Sequence, residues 1–139
     1  MQFLPLLGFI LLLPKNTFSA EDLSSLRVQA SECRELTNYG HIAGCFSKIH
    51  MKSDGMLNQT YKELFNYLKE SDRKNLVDAQ RKWIEFRDAD CKFSDPRDKK
   101  DNIPRANEAV CLMEHTLTRL EKLREYNADY NKGCNGCPW

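Results

Sequence analysis

Four stretches of the chain repeat apolar residues three and four positions apart, and no stretch shows a clear strand alternation. In the first, about Asp22 to Thr37, Leu23, Leu26, Ala30, Cys33 and Thr37 share one face. The second begins near Ser53 or Asp54, either of which suits a helix N-cap, and carries Leu57, Tyr61, Leu64 and Leu68. The third opens at Ser71 or Asp72 and runs through AQRKWIEFRDADC. The fourth has Pro104 in its first turn, presents Ala106, Val110, Met113, Leu117 and Leu120, and ends near Tyr126. The break between the second and third stretches is very short, which predicts an antiparallel hairpin. The expected fold is all-α, a small antiparallel bundle of about four helices stapled by disulfides.

The third stripe is chemically unusual. Wound at about 100° per residue, Leu76, Gln80, Trp83, Arg87 and Cys91 fall within an arc of roughly 80°. A core-facing arc is normally apolar. This one mixes an aromatic ring, an amide, a guanidinium and a thiol, and burying them costs free energy unless each finds a partner.

Two connections read as surface loops. Asn38–Ser53 contains Gly40, Gly44 and Cys45, and Ser94–Ile103 (SDPRDKKDNI) is charged and aperiodic. The first 20 residues differ from the rest, with an apolar run from Phe3 to Leu13, a break at Pro14-Lys15 and then small polar residues. This reads as a secretory signal peptide cleaved after Ser19 or Ala20. The apolar run is shorter than the ~20 residues that span a bilayer. The expected organisation is a signal peptide at 1–20, a helical domain at 21–127 and a Cys/Gly-rich tail at 128–139.

Composition narrows the function classes. The chain has 21 basic and 20 acidic side chains, and one of the basic ones, Lys15, lies in the leader. A near-neutral mature chain lacks the basic field that nucleic-acid binding needs. Six cysteines in a small exported domain fit an oxidising compartment, periplasm or extracellular space. Many pairings are open. Proximity suggests Cys33 with Cys45, Cys91 with Cys111, and Cys134 with Cys137; the first two, closing loops of roughly a dozen and roughly twenty residues, each contribute about 2–4 kcal/mol.

Together the residues resemble the LprI-like lysozyme-inhibitor family of small exported bacterial envelope proteins. Asp54-Gly55-Met56-Leu57-Asn58 followed by Tyr61 and Leu64 form one matching block. Gln80, Trp83, Arg87, Asp88 and Cys91 form the most specific block. Cys111, Thr116, Arg119 and Leu123 form another, and Cys33 and Cys45 suit the family's N-terminal cysteines. The resemblance runs from about Cys33 to Leu123. The tail with Cys134 and Cys137 lies outside the family pattern, and Ile103-Pro104-Arg105-Ala106 replaces a Gly-rich approach to the last helix. The resemblance implies an exported, disulfide-linked helical protein whose partner is lysozyme or another cell-wall hydrolase.

The polar stripe supports two readings. In one, Arg87 and Asp88 form a binding site. In the other, preferred here, Leu57, Asn58, Tyr61, Gln80, Trp83, Arg87, Asp88, Thr116 and Arg119 form a network that holds the helices in register. Function then falls to the loops. Lysozyme works through two carboxylates in a cleft, which a protruding donor or cation can occupy. Tyr39, His41, Lys48 and His50 are candidates from the first loop, and Arg97, Lys99, Lys100 and Arg105 from the second.

Enzyme chemistry has thin support. Glu85, Asp88 and Asp90 scatter around a helix, and no nucleophile elbow, phosphate loop or zinc-helix motif occurs. No cofactor and no metal are expected, and no stable membrane span after signal cleavage. Cys134-Asn135-Gly136-Cys137 is open to three uses: a tail disulfide, intermolecular or thiol-redox work, or metal binding. A structural or accessory role in envelope assembly is the main alternative to inhibition; thiol-redox work is a further one.

Overall fold

The computed structural model describes residues 20–95 and 105–131. Within them lie four helices, α1 (Ala20–Arg34), α2 (Tyr39–Tyr67), α3 (Glu70–Ser94) and α4 (Ala106–Asn131), and no strand. Residues 1–19 of the expected signal peptide, Arg97, Lys99, Lys100, Pro104, Cys134 and Cys137 lie outside the described residues.

Cross-links between helices give the topology. Arg27 meets Glu121 at 2.8 Å and Arg34 meets Glu114 at 2.7 Å, so α1 runs antiparallel to α4. His50 lies against Thr116, and Asn127 donates to Glu63, so α2 and α4 run parallel. Arg119 donates to Gln80, and Cys91 bonds Cys111, so α3 is antiparallel to α4. The bundle is up-down-up-down, with the parallel pair α2 and α4 at its centre. The central pair forms the main interface, α1 packs on α2, and α3 packs on α4.

The apolar spacing explains this arrangement. Phe46, Met56, Leu57 and Leu64 on α2 and Met113, Leu117, Leu120 and Leu123 on α4 are all buried. Each such side chain contributes about 1.5–3 kcal/mol when fully buried. On α1, Leu23, Leu26, Ala30 and Cys33 are buried as their spacing predicts. The polar stripe of α3 also turns inward, but only Leu76 and Cys91 within this helix are fully buried. Ile84, Phe86 and Phe93 are exposed, so α3 is the least embedded part of the motif region.

Two staples close the same end of the bundle. Cys33–Cys45 ties the end of α1 to the start of α2, with Cα atoms 5.8 Å apart. Cys91–Cys111 ties the end of α3 to the start of α4, with Cα atoms 5.4 Å apart.

The largest departure from the sequence reading is at Asn38–Ser53, which is helix rather than loop. Asn38 caps it, its side-chain oxygen accepting from the His41 amide at 3.1 Å. Gly40 and Gly44 signalled a loop, and each costs a helix about 1 kcal/mol. Burial of Phe46 and Ile49, at 1% and 3% exposure, outweighs that cost. Ser53 is therefore not a cap. It sits buried inside α2, and its hydroxyl donates to the His50 carbonyl at 2.9 Å.

Ser71 and Asp72 lie within the first turn of α3, whose N-cap is Lys69 without a side-chain bond. Acidic Glu70 and Asp72 instead complement the helix dipole. The turn is held by Arg73, which donates to the Phe65 carbonyl at 2.9 Å and to that of Asn66 at 3.4 Å, and whose guanidinium lies 5.0 Å from the Phe65 ring centroid. This guanidinium satisfies carbonyls that the end of α2 leaves open. Helix α4 continues past Tyr126 to Asn131.

Candidate functional site

Trp83 occupies the centre of the motif, close to two guanidinium groups. The Arg87 carbon Cζ lies 4.9 Å from its ring centroid and that of Arg119 lies 5.9 Å away. These are cation–π distances. Arg119 Nε also donates to Gln80 Oε1 at 3.0 Å, fixing α4 to α3. Burial lowers the Arg119 pKa, with Tyr126 opposing. Arg87 grips Asp88 at 2.8 Å and reaches Asp54 of α2 at 4.0 Å, its side chain only 13% exposed. Thus Gln80, Trp83, Arg87 and Asp88 of α3, Arg119 of α4 and Asp54 of α2 meet in one place.

The second half of the network lies between α2 and α4. The fully buried Thr116 hydroxyl is 3.2 Å from His50 Nδ1. Burial lowers the His50 pKa; Asp54 opposes this, Arg87 reinforces it and Asp88 opposes it. Among the described residues, Asn58 makes no bond to another helix. It donates to Asp54 Oδ2 at 3.0 Å and so acts on the network through that carboxylate. Leu57 is buried, while Tyr61 stacks on Phe65 with ring centroids 6.1 Å apart.

The candidates read as loop contacts separate. Tyr39, His41 and Lys48 are exposed on the opening turns of α2. His50 faces inward and belongs to the network. Arg105 precedes α4, donates to the Asp95 carbonyl at 3.3 Å and lies 3.5 Å from Glu108.

Between α3 and α4 lies an open groove of about 830 Å³, lined by Trp83, Asp90, Val110, His115, Thr118 and Arg119 among others. His115 Nε2 lies 2.9 Å from Asp90 Oδ2, and the Phe86 ring meets the imidazole edge-on at 5.5 Å. Sequence reading missed this pair, since the three histidines share no spacing motif. The signal was indirect: once Cys91 pairs with Cys111, the neighbouring Asp90 and the residue one turn on, His115, must approach each other.

A family model described as "Lysozyme inhibitor LprI" matches residues 33–123. The chain belongs to the LprI lysozyme-inhibitor family. No curated protein and no solved structure matched it. The LprI match begins at the first disulfide-bonded cysteine and ends at Leu123, so it encloses both staples and the whole polar network. Family membership and the disulfides fit an extracytoplasmic location. No helix among the described residues is long and apolar enough to cross a membrane.

Proposed function

We propose that the chain is an exported, non-enzymatic binding protein that inhibits lysozyme or a related cell-wall hydrolase by steric blockade. The LprI match over residues 33–123 is the observation that carries this reading. The two staples support it physically. They stiffen one end of the bundle, and a preorganised surface loses less entropy on docking. Exposed Tyr39, His41 and Lys48 near that end offer an aromatic ring and polar or cationic donors for a cleft built around two carboxylates. The motif network serves this surface as scaffold.

Clearing of a cell-wall suspension by lysozyme, with and without the purified oxidised chain, tests the proposal. Slower clearing with increasing chain is expected. Unchanged clearing at large molar excess, across lysozymes of several types, would overturn it. A second reading, a scaffold for envelope assembly, draws support from the exposed Phe86 and Phe93, at 58% and 81%. It predicts stable complexes with envelope proteins and no effect on clearing.

A further inference from the structure

We propose that the chain, with the Cys91–Cys111 bond reduced, holds one divalent transition-metal ion of the zinc class on Cys91, Cys111 and His115, with Asp90 positioning the imidazole. The donor atoms of the three ligand residues already lie within 4.8 Å of one another. Donors sharing a tetrahedral zinc, each about 2.0–2.3 Å from it, are separated by roughly 3–4 Å, so on reduction the two sulfurs, bonded to each other in the disulfide, move apart by about 1.5–2 Å while the imidazole nitrogen closes by about 1 Å at most. Cys111 and His115 are one helical turn apart on α4 and share a face. Cys91 reaches them from α3.

The donor set has the expected chemistry. Two thiolates and an imidazole suit a borderline-soft ion, and three protein donors leave a fourth position for water. Cys111 and His115 both line the α3–α4 groove, which gives that position access to solvent. Asp90 Oδ2 sits 2.9 Å from His115 Nε2, so this nitrogen donates to the carboxylate and Nδ1 is left for the ion. A carboxylate behind a ligating histidine fixes its tautomer and orientation.

Oxidation state gates the site, because disulfide sulfurs are not thiolate donors. A dithiol reductant supplies two electrons and two protons. Its own sulfurs pair as a disulfide, the Cys91–Cys111 bond breaks and two thiols form. Ion binding then releases both thiol protons to solvent. Exchange with a small-molecule disulfide reverses this: it accepts two electrons from the Cys91 and Cys111 thiolates and two protons from solvent to become two thiols, the Cys91–Cys111 bond re-forms and the ion is released. In the reduced state the ion thus takes over the α3–α4 link that the disulfide makes in the oxidised state.

Cobalt(II) is the probe, added to full-length chain carrying Cys134→Ser and Cys137→Ser to remove tail thiols. After reduction, one equivalent is expected to give thiolate-to-cobalt charge-transfer bands and intense visible bands of a tetrahedral site. The oxidised protein is expected to give neither. Cys33→Ser/Cys45→Ser is expected to leave the titration unchanged, and His115→Ala to abolish the tetrahedral spectrum. Asp90→Asn is expected to weaken binding about tenfold to a hundredfold. Circular dichroism on each reduced sample reports folding. Absence of the bands, or bands indifferent to His115→Ala and Asp90→Asn, whether the reduced chain is folded or not, overturns the proposal.

Discussion

Arg119 donates through Nε to the Gln80 amide oxygen at 3.0 Å while its guanidinium carbon stands 5.9 Å from the Trp83 ring centroid. One side chain of α4 thereby engages two residues of the α3 motif. Arg119→Met removes the donor and leaves the half-buried Gln80 oxygen without it, at an expected cost of about 1–3 kcal/mol in urea unfolding. Gln80→Leu in the same chain removes the stranded acceptor and should recover part of the loss. A double variant no more stable than the sum of the singles would show that the two residues do not act as a pair.

Each staple has a separable effect. Cys91→Ala/Cys111→Ala should cost about 2–4 kcal/mol, as should Cys33→Ala/Cys45→Ala, the closed loops spanning 20 and 12 residues. The consequences for hydrogen exchange should differ. Loss of the first bond should free amides at the end of α3, which has little other burial, while α2 and α4 keep their protection. Uniform loss of protection would contradict that division.

Gly44 and Gly55 both lie inside α2, and a Cβ at either position meets nothing within 4 Å. Gly44→Ala and Gly55→Ala should each stabilise the chain by about 0.5–1 kcal/mol. Thermal unfolding measures this directly. Destabilisation by Gly44→Ala would place residue 44 in a loop and refute the long α2.

The pH dependence follows from His50, whose imidazole is held below its ordinary value chiefly by burial. The unfolded chain, with a histidine pKa near 6.5, takes up the proton first as pH falls. His50 therefore supports the fold above about pH 6.5, and that support is lost as pH falls through the lower folded value. The melting temperature of the native chain should drop more between about pH 7.5 and pH 5 than that of His50→Asn. Equal drops would remove His50 as the cause.

The sequence was most informative where side-chain spacing and burial agree. Leu23, Leu26, Ala30 and Cys33 appear on the buried face of α1 as their period requires, and the stripe Leu76 to Cys91 turns inward despite its polarity. It misled at Gly40 and Gly44, where a local breaker signal competes with the burial of Phe46 and Ile49, a tertiary effect. Asp54 suits a helix N-cap by sequence, yet it joins Arg87 and Asn58 within the network, because α2 continues through it. The Asp90–His115 pair was hidden because its two members are brought together only by packing of α3 on α4.

On the proposed function, the motif network builds the scaffold and lysozyme inhibition resides on the surface it holds. Clearing of cell walls by lysozyme should be measured with the oxidised native chain and with Gln80→Leu/Arg119→Met, at a temperature where circular dichroism shows both folded. Equal, dose-dependent slowing by the two proteins is the predicted result. No slowing by the native chain, or slowing lost in the folded double variant, would contradict the account.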